Sequence, residues 1–191
     1  MLEPVKQGSL LHPEAARSVF WETESEVTDP AFEKEAWLSA TLLNFGDCGF
    51  TIGDEATIFF CRREDAPGAQ KLPTAPVSED AEILSSLFIK SNRAERGLEA
   101  VLIDAVLMNL TNRGSTAIEA FGYYGEPREA QDFLGHKPGR IGLLKVEHLK
   151  GAGFEVVADH PVLPRLRLEL PPAHDLLSAA AVDDVLAKAF A

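Results

Sequence analysis

The stretch from Ala81 to Gly122 constrains the fold more than any other: AEILSSLFIK, SNRAERG, LEAVLIDAVLMNL, TNRG and STAIEAFG in succession. The first block has the length and the apolar character of a strand. Residues 98–110 are apolar on nearly every side apart from Glu99, Asp104 and Asn109, so this helix should be packed against a sheet. Gly114 ends it, and residues 115–121 return as a second strand. Strand, tight turn, helix and strand in this order make a right-handed crossover whose two strands run parallel.

The flanking segments supply the rest of a sheet. DPAFEKEAWLSATLLNF, Asp29 to Phe45, reads as a helix with Asp29 as cap and Pro30 in its first turn; Ala36, Trp37, Ala40, Leu43 and Phe32 fall near a 3.6-residue period as its apolar face. A shorter helix is expected over 13–20. CGFTI and ATIFFCR flank GDE as a hairpin. Residues 63–80, with three prolines and mixed charge, read as a long surface loop beside a substrate groove.

Downstream of the crossover, GYYGEPREAQDFLGHKPGR is broken by glycine and proline, IGLLKVEHLKGAG reads as a helix with a glycine stop, and FEVVADHP and PRLRLEL read as closing strands. From Ser178 onward, Val182, Val185, Leu186, Ala189 and Phe190 share one helical face, an apolar stripe that must pack on this chain or, in a homodimer, on a second copy. The expected architecture is α/β: one domain over 1–191 with a mixed, mainly antiparallel sheet of about six strands and helices on both faces.

Lys plus Arg is 18 and Asp plus Glu is 30, so the net charge is 18 − 30 = −12, a field that repels a phosphate backbone and argues against nucleic acid as partner. An acidic surface instead suits a cationic amine. Cys48 and Cys61 are thirteen residues apart without a Cys-x-x-Cys pair and read as reduced core thiols. No apolar run approaches the roughly 20 residues of a membrane span, and the first residues lack a targeting pattern, so the expected location is cytoplasmic. His12, His136, His160 and His174 show no metal-ligand spacing.

The order of elements, with AEILSSLFIKSNRAERGLEAVLIDAVLMNLTNRGSTAIEAFG followed by HLKGAGFEVVADHPVLPRLRLEL, resembles the GNAT acyl-CoA N-acyltransferase superfamily. PTAPVSEDA, RGSTAIEAFG and GFEVVADHPVLPRLRLEL look like an actinobacterial branch, and the likeness covers about residues 36–170. It implies a bulged fourth strand that splays from the fifth, with the pantetheine arm of acetyl-CoA lying between them and pairing with Phe88, Ile89 and Lys90. It also places a pyrophosphate loop on Ala94 to Glu99, where main-chain N–H groups around Gly97, Leu98, Glu99 and Ala100 would converge on the phosphates at a helix N-terminus, with Arg93 and Arg96 beside them. Two positions depart from the pattern. Ala94 stands where the family has Gln or Arg, and Glu99 where it has Gly or Ala; a carboxylate 4 Å from a phosphate oxygen costs about 1 kcal/mol in water and several times that in a drier cleft.

The activity implied is transfer of an acetyl group from acetyl-CoA to a small-molecule or peptide amine. Such transfer needs a base, an oxyanion donor and an acid for the departing thiolate. By the resemblance the oxyanion donor is the N–H of Ile89. Glu82 and Glu119 are the candidate bases, either of which could have a raised pKa if half buried, with Glu82 preferred because the resemblance puts functional carboxylates on that strand. The family's thiolate acid is a tyrosine four residues before Gly153-Phe154, and Leu149 occupies that position. His148 is adjacent but about 100° around the helix, and Tyr123 and Tyr124 could reach the cleft. The replacements at Ala94, Glu99 and Leu149 point to an alternative: a diverged GNAT-fold protein without transfer activity, acting as an acyl-CoA-binding or interaction module.

Overall fold

The computed structural model describes all of residues 1–191. Its sheet has eight strands, more than the six expected, because two very short ones join it. The strands are β1 Glu3–Pro4, β2 Gly49–Ile52, β3 Ala56–Arg62, β4 Glu82–Ile89, β5 Ala117–Tyr123, β6 Leu144–Lys145, β7 Glu155–Ala158 and β8 Arg165–Glu169. Their order across the sheet is β1-β2-β3-β4-β5-β8-β7, with β6 set against β5. The neighbours along that path are antiparallel except β4 and β5, the parallel pair of the crossover.

The crossover helix is α2, Leu98–Asn112. Leu98, Leu102, Ile103, Val106, Leu107 and Leu110 are buried in one core with Ile58, Phe60, Leu84 and Ile118 of the sheet. On the opposite face a second core forms around Trp21, Cys61, Ile83 and Phe121, and a smaller third around Leu38, Phe59 and Phe88. Both cysteines are unpaired and buried; burial pushes the Cys48 thiol up to about 12. No helix is long and apolar enough to cross a membrane.

Helix α1, Pro30–Asn44, begins as the sequence dictates: the Asp29 carboxylate accepts the N–H of Phe32, and Pro30 takes the first turn. Its buried face is not the expected one. Phe32 is 66% exposed and Leu43 is 85% exposed, whereas Lys34, Leu38 and Thr41 face inward. The reason is an ion pair: Lys34 meets Glu22 and lies over the Phe59 ring, 4.4 Å from its centroid, with both charged side chains out of solvent. A buried charge pair sets which face turns inward, and a count of apolar residues cannot anticipate it.

Two other segments differ from expectation. Residues 13–20 form turns, tied by Ala16 N–H to His12 O and Ser18 N–H to Glu14 O, and no helix. Residues 63–80 are a packed strap of two 3-10 turns, Arg63–Asp65 and Pro67–Lys71, that buries Ala66, Ala69, Leu72 and Val77 in the second core. It covers the sheet, and Lys71 borders a recess of about 630 Å³ with Phe20, Thr23 and His136.

Candidate functional site

Strands β4 and β5 pair at only three positions, Glu82↔Ile118, Ile83↔Glu119 and Leu84↔Ala120. There β4 bulges: opposite β3, Phe60 faces Leu84 but Phe59 faces Ser86, which leaves Ser85 as the extra residue. Beyond it the two parallel strands part, as the resemblance implies. The V-shaped opening so created is the place where an extended ligand could add main-chain hydrogen bonds.

The chain itself fills that opening. After β5 it runs out through α3, Pro127–Leu134, and a short turn of helix, α4, Pro138–Ile141, and then returns between the parted strands. Leu87 of β4 donates its N–H to Gly142 O at 2.8 Å, and β6 pairs in parallel with β5 through Gly122↔Leu144 and Tyr123↔Lys145. Trp21 clamps the segment by donating its indole N–H to Ile141 O at 2.7 Å. Ile141, Leu143, Leu144 and Val146 are all buried. At Gly142, in the left-handed region with φ 65°, a Cβ would lie 2.7 Å from Ser86 Cβ and from the Phe88 ring, so only glycine lets the segment approach β4 this closely. The expected helix over 141–153 is therefore confined to α5, Val146–Gly151, and the residues before it are a strand-like insert.

The loop ahead of α2 is likewise occupied. Gly97 has φ 87° and the turn conformation the motif needs, but a Cβ there would be 3.1 Å from Val185 Cγ1, on the C-terminal helix α6, Ala179–Ala189. Arg93 and Arg96 both donate to the carbonyl of Ala189, at 2.9 and 3.2 Å, and the Arg93 guanidinium lies 4.8 Å from the centre of the Phe190 ring. Glu99 is 7% exposed; its Oε1 accepts the N–H of Glu95 at 2.9 Å. A carboxylate thus takes a loop N–H of the kind a phosphate oxygen would take. The space left beside Gly97, about 410 Å³, is lined by Glu99, Asp104, Glu147 and Asp175, which disfavour a polyanion. The apolar stripe of α6 packs on this same chain, with Ala189 fully buried and Leu186 against the core of α2.

Phe88, Ile89 and Lys90 end β4 as expected. The Lys90 N–H goes to Glu55 O at 2.9 Å, on the β3 side, so by strand alternation the Ile89 N–H points with that of Leu87 into the opening. The Lys90 ammonium is bound by Asp54 at 2.6 Å and Glu55 at 3.0 Å. Glu82 begins the same strand, roughly 23 Å from Ile89 along it, at the zipped end. Burial raises its pKa above the ordinary carboxylate value, with Glu64 adding to the shift. The fold does not bring it to Ile89. Glu119 differs from the expectation of a raised pKa. It is fully buried, which alone would push it up, but Ser78, Arg165 and Arg167 hold it below the ordinary value.

Leu149 packs in the core against Gly122, and His148 lines the acidic space beside Gly97. Tyr123 is buried at the end of β5, while Tyr124 borders a small recess with Lys145 and Lys150. His12 was not singled out for chemistry from the sequence. It stacks on Phe88 at 5.8 Å, near the open end of β4, and burial holds its pKa below the ordinary value. Its Nδ1 accepts the N–H of Glu14 at 3.1 Å, but Phe88 and Thr57, which place it at β4 and β3, come from distant segments.

The architecture, a mostly antiparallel sheet with one parallel pair that splays after a bulge, is the GNAT acetyltransferase fold. An N-acetyltransferase from Staphylococcus aureus Mu50 aligns over 89% of this chain and 98% of its own at 12% identity, with a TM-score of 0.56. A Salmonella typhimurium protein solved with its cofactor acetyl-CoA aligns over 94% of this chain and 98% of its own at 12% identity and TM-score 0.56. An aminoglycoside 6'-N-acetyltransferase complexed with coenzyme A aligns over 92% and 99%, at 13% identity and TM-score 0.53. No family model matches the chain, and no curated protein matches it in sequence. At such identities the likeness is one of fold.

The residues present do not fit acetyl-CoA in that cleft. On β4 the Leu87 N–H is taken by Gly142 O, and on β5 Gly122 and Tyr123 are paired with β6, which leaves the Ile89 N–H facing the opening, while α6 lies against the loop that would hold phosphates.

Proposed function

We propose that this chain is a diverged protein of the acetyltransferase fold that keeps the scaffold of the cofactor cleft but fills it with its own residues, and that it works as an interaction module without acetyl transfer. The observation that carries this reading is the Gly142–Lys145 segment, hydrogen-bonded to both parted strands and clamped by Trp21. Three further features agree with it: Glu99 on the loop N–H, Leu149 where an acid would stand, and Glu82 at the zipped end of β4. Support for interaction comes from α1, which presents Phe32 and Leu43 to solvent while spending its inward face on an ion pair.

Transfer of an acetyl group to a small-molecule or peptide amine is the second reading. It is supported by the fold and by the neighbours solved with acetyl-CoA and coenzyme A. It requires both the 142–145 segment and α6 to leave their places. Thermal unfolding of the full chain with and without millimolar acetyl-CoA separates the two. The module reading expects no change, whereas a ligand at 100 times its dissociation constant adds about 2.7 kcal/mol and would establish cofactor binding.

A further inference from the structure

The chain fills the opening between β4 and β5 but not the flank of α2 that faces β2. There α2, α6 and the β1–β2 edge of the sheet enclose a recess of about 710 Å³, mostly apolar in its lining and of the size that small-molecule sites have. Val101, Ala105 and Met108 recur at helical spacing on α2, Val182 and Leu186 do so on α6, and Phe50 of β2 joins them, its ring stacked on Phe60 of the core at 6.0 Å. Met1 and Met108, 91% and 47% exposed, also line it, and flexible thioether chains adapt to the shape of a ligand. The charged side chains of the lining are Asp104 and Asp183, with no lysine, arginine or histidine among them. Asp104 is held at the wall by the Leu177 N–H, 2.8 Å from one carboxylate oxygen, and the ion pair on α6 uses Asp184 and leaves Asp183 out. Carboxylates in the core are matched from within the chain, Glu22 by Lys34 and Glu119 by Arg165 and Arg167. These two are not.

We propose that this recess is a binding site for a small organic cation with an apolar body, an ammonium whose hydrocarbon lies against Val101, Met108, Val182 and Leu186 and whose N–H donors meet Asp104 and Asp183. Charge selects the class. An anion would face two carboxylates, a neutral hydrocarbon would leave both without a partner, and the net charge of −12 draws cations toward the surface. Bound there, the ligand joins α2 to α6 without displacing either. No residue of the β4–β5 opening lines the recess, so the assignment stands apart from the reading of the cleft.

Calorimetry of the full chain with octylammonium, octanol and octanoate, each kept below the concentration at which it forms micelles, tests the assignment. Octylammonium should bind about tenfold more tightly than octanol, because a bond between an ammonium and a carboxylate outweighs a neutral one, and octanoate should show no binding. Ethylammonium, which has the charge without the apolar body, should not displace octylammonium. The Asp104→Asn, Asp183→Asn double variant, which keeps an acceptor for the Leu177 N–H, should bring octylammonium down to the affinity of octanol. Saturating octylammonium should slow hydrogen exchange in α2 and α6. Equal affinity for the three probes, no binding of octylammonium, or protection confined to other segments would overturn the site, and the wild-type chain decides this even if the double variant fails to fold. Acetyl-CoA binding would overturn the reading of the cleft and leave this result untouched.

Discussion

Three residues carry arrangements that a single substitution can expose. Gly142 combines a left-handed backbone with a Cβ position 2.7 Å from Ser86 and Phe88. Gly142→Val should cost about 2–5 kcal/mol in urea unfolding, from overpacking and backbone strain together. Lys34 is 1% exposed and paired with Glu22. Lys34→Met alone should destabilise by about 3–5 kcal/mol, because Glu22 is left charged and buried, while adding Glu22→Leu should recover most of the loss. Near-additive losses in the double variant would show that the pair is not the cause.

Glu119 gives a pH dependence with a definite sign. Its folded pKa lies below the ordinary 4.5, since Ser78, Arg165 and Arg167 outweigh the upward push of burial. As pH falls, the unfolded chain therefore takes up the proton first. The contribution is complete above about 4.5 and is lost as pH drops through the lower folded value. Glu119→Gln should lower stability at pH 7 and flatten its decline on acidification, read by urea unfolding from pH 7 to 3.

At the scale of elements, what was legible in the sequence was whatever local chemistry decides. Asp29 and Pro30 started α1, GDE turned the β2–β3 hairpin, and the apolar run 98–110 gave α2. Asp29→Ala should cost about 1 kcal/mol by loss of the cap, with circular dichroism and urea unfolding as the measure. Elements whose form depends on distant partners were not legible. The α1 face follows Glu22, twelve residues away in sequence. The Ile141–Val146 run has helix-like apolar spacing, yet Leu87 and Gly122, on two other strands, draw it into the sheet. Gly139 and Gly142 were the local signs, since two glycines three apart weaken any helix. The position of α6 was half legible: its stripe announced packing, but the Arg93 and Arg96 contacts to Ala189 are visible only in three dimensions.

For the whole molecule, the parting of β4 and β5 was expected from the resemblance and is present, together with its bulge at Ser85. The expected occupant of the opening was acetyl-CoA, and the occupant found is the chain itself. The Ile89 N–H and the Gly97 turn survive as scaffold, while the charges and side chains around them serve internal packing. Glu99 and Leu149 each satisfy a partner within the fold, as the module reading requires.

The amide of Leu87 reports most directly on the inner closure, because its one acceptor is Gly142 O. Followed by hydrogen exchange in the full chain, it should exchange as slowly as the core amides of α2, with or without millimolar acetyl-CoA. Fast exchange in the free protein, becoming slow when acetyl-CoA is added, would mean that the cleft is open and takes the cofactor, contrary to the arrangement described.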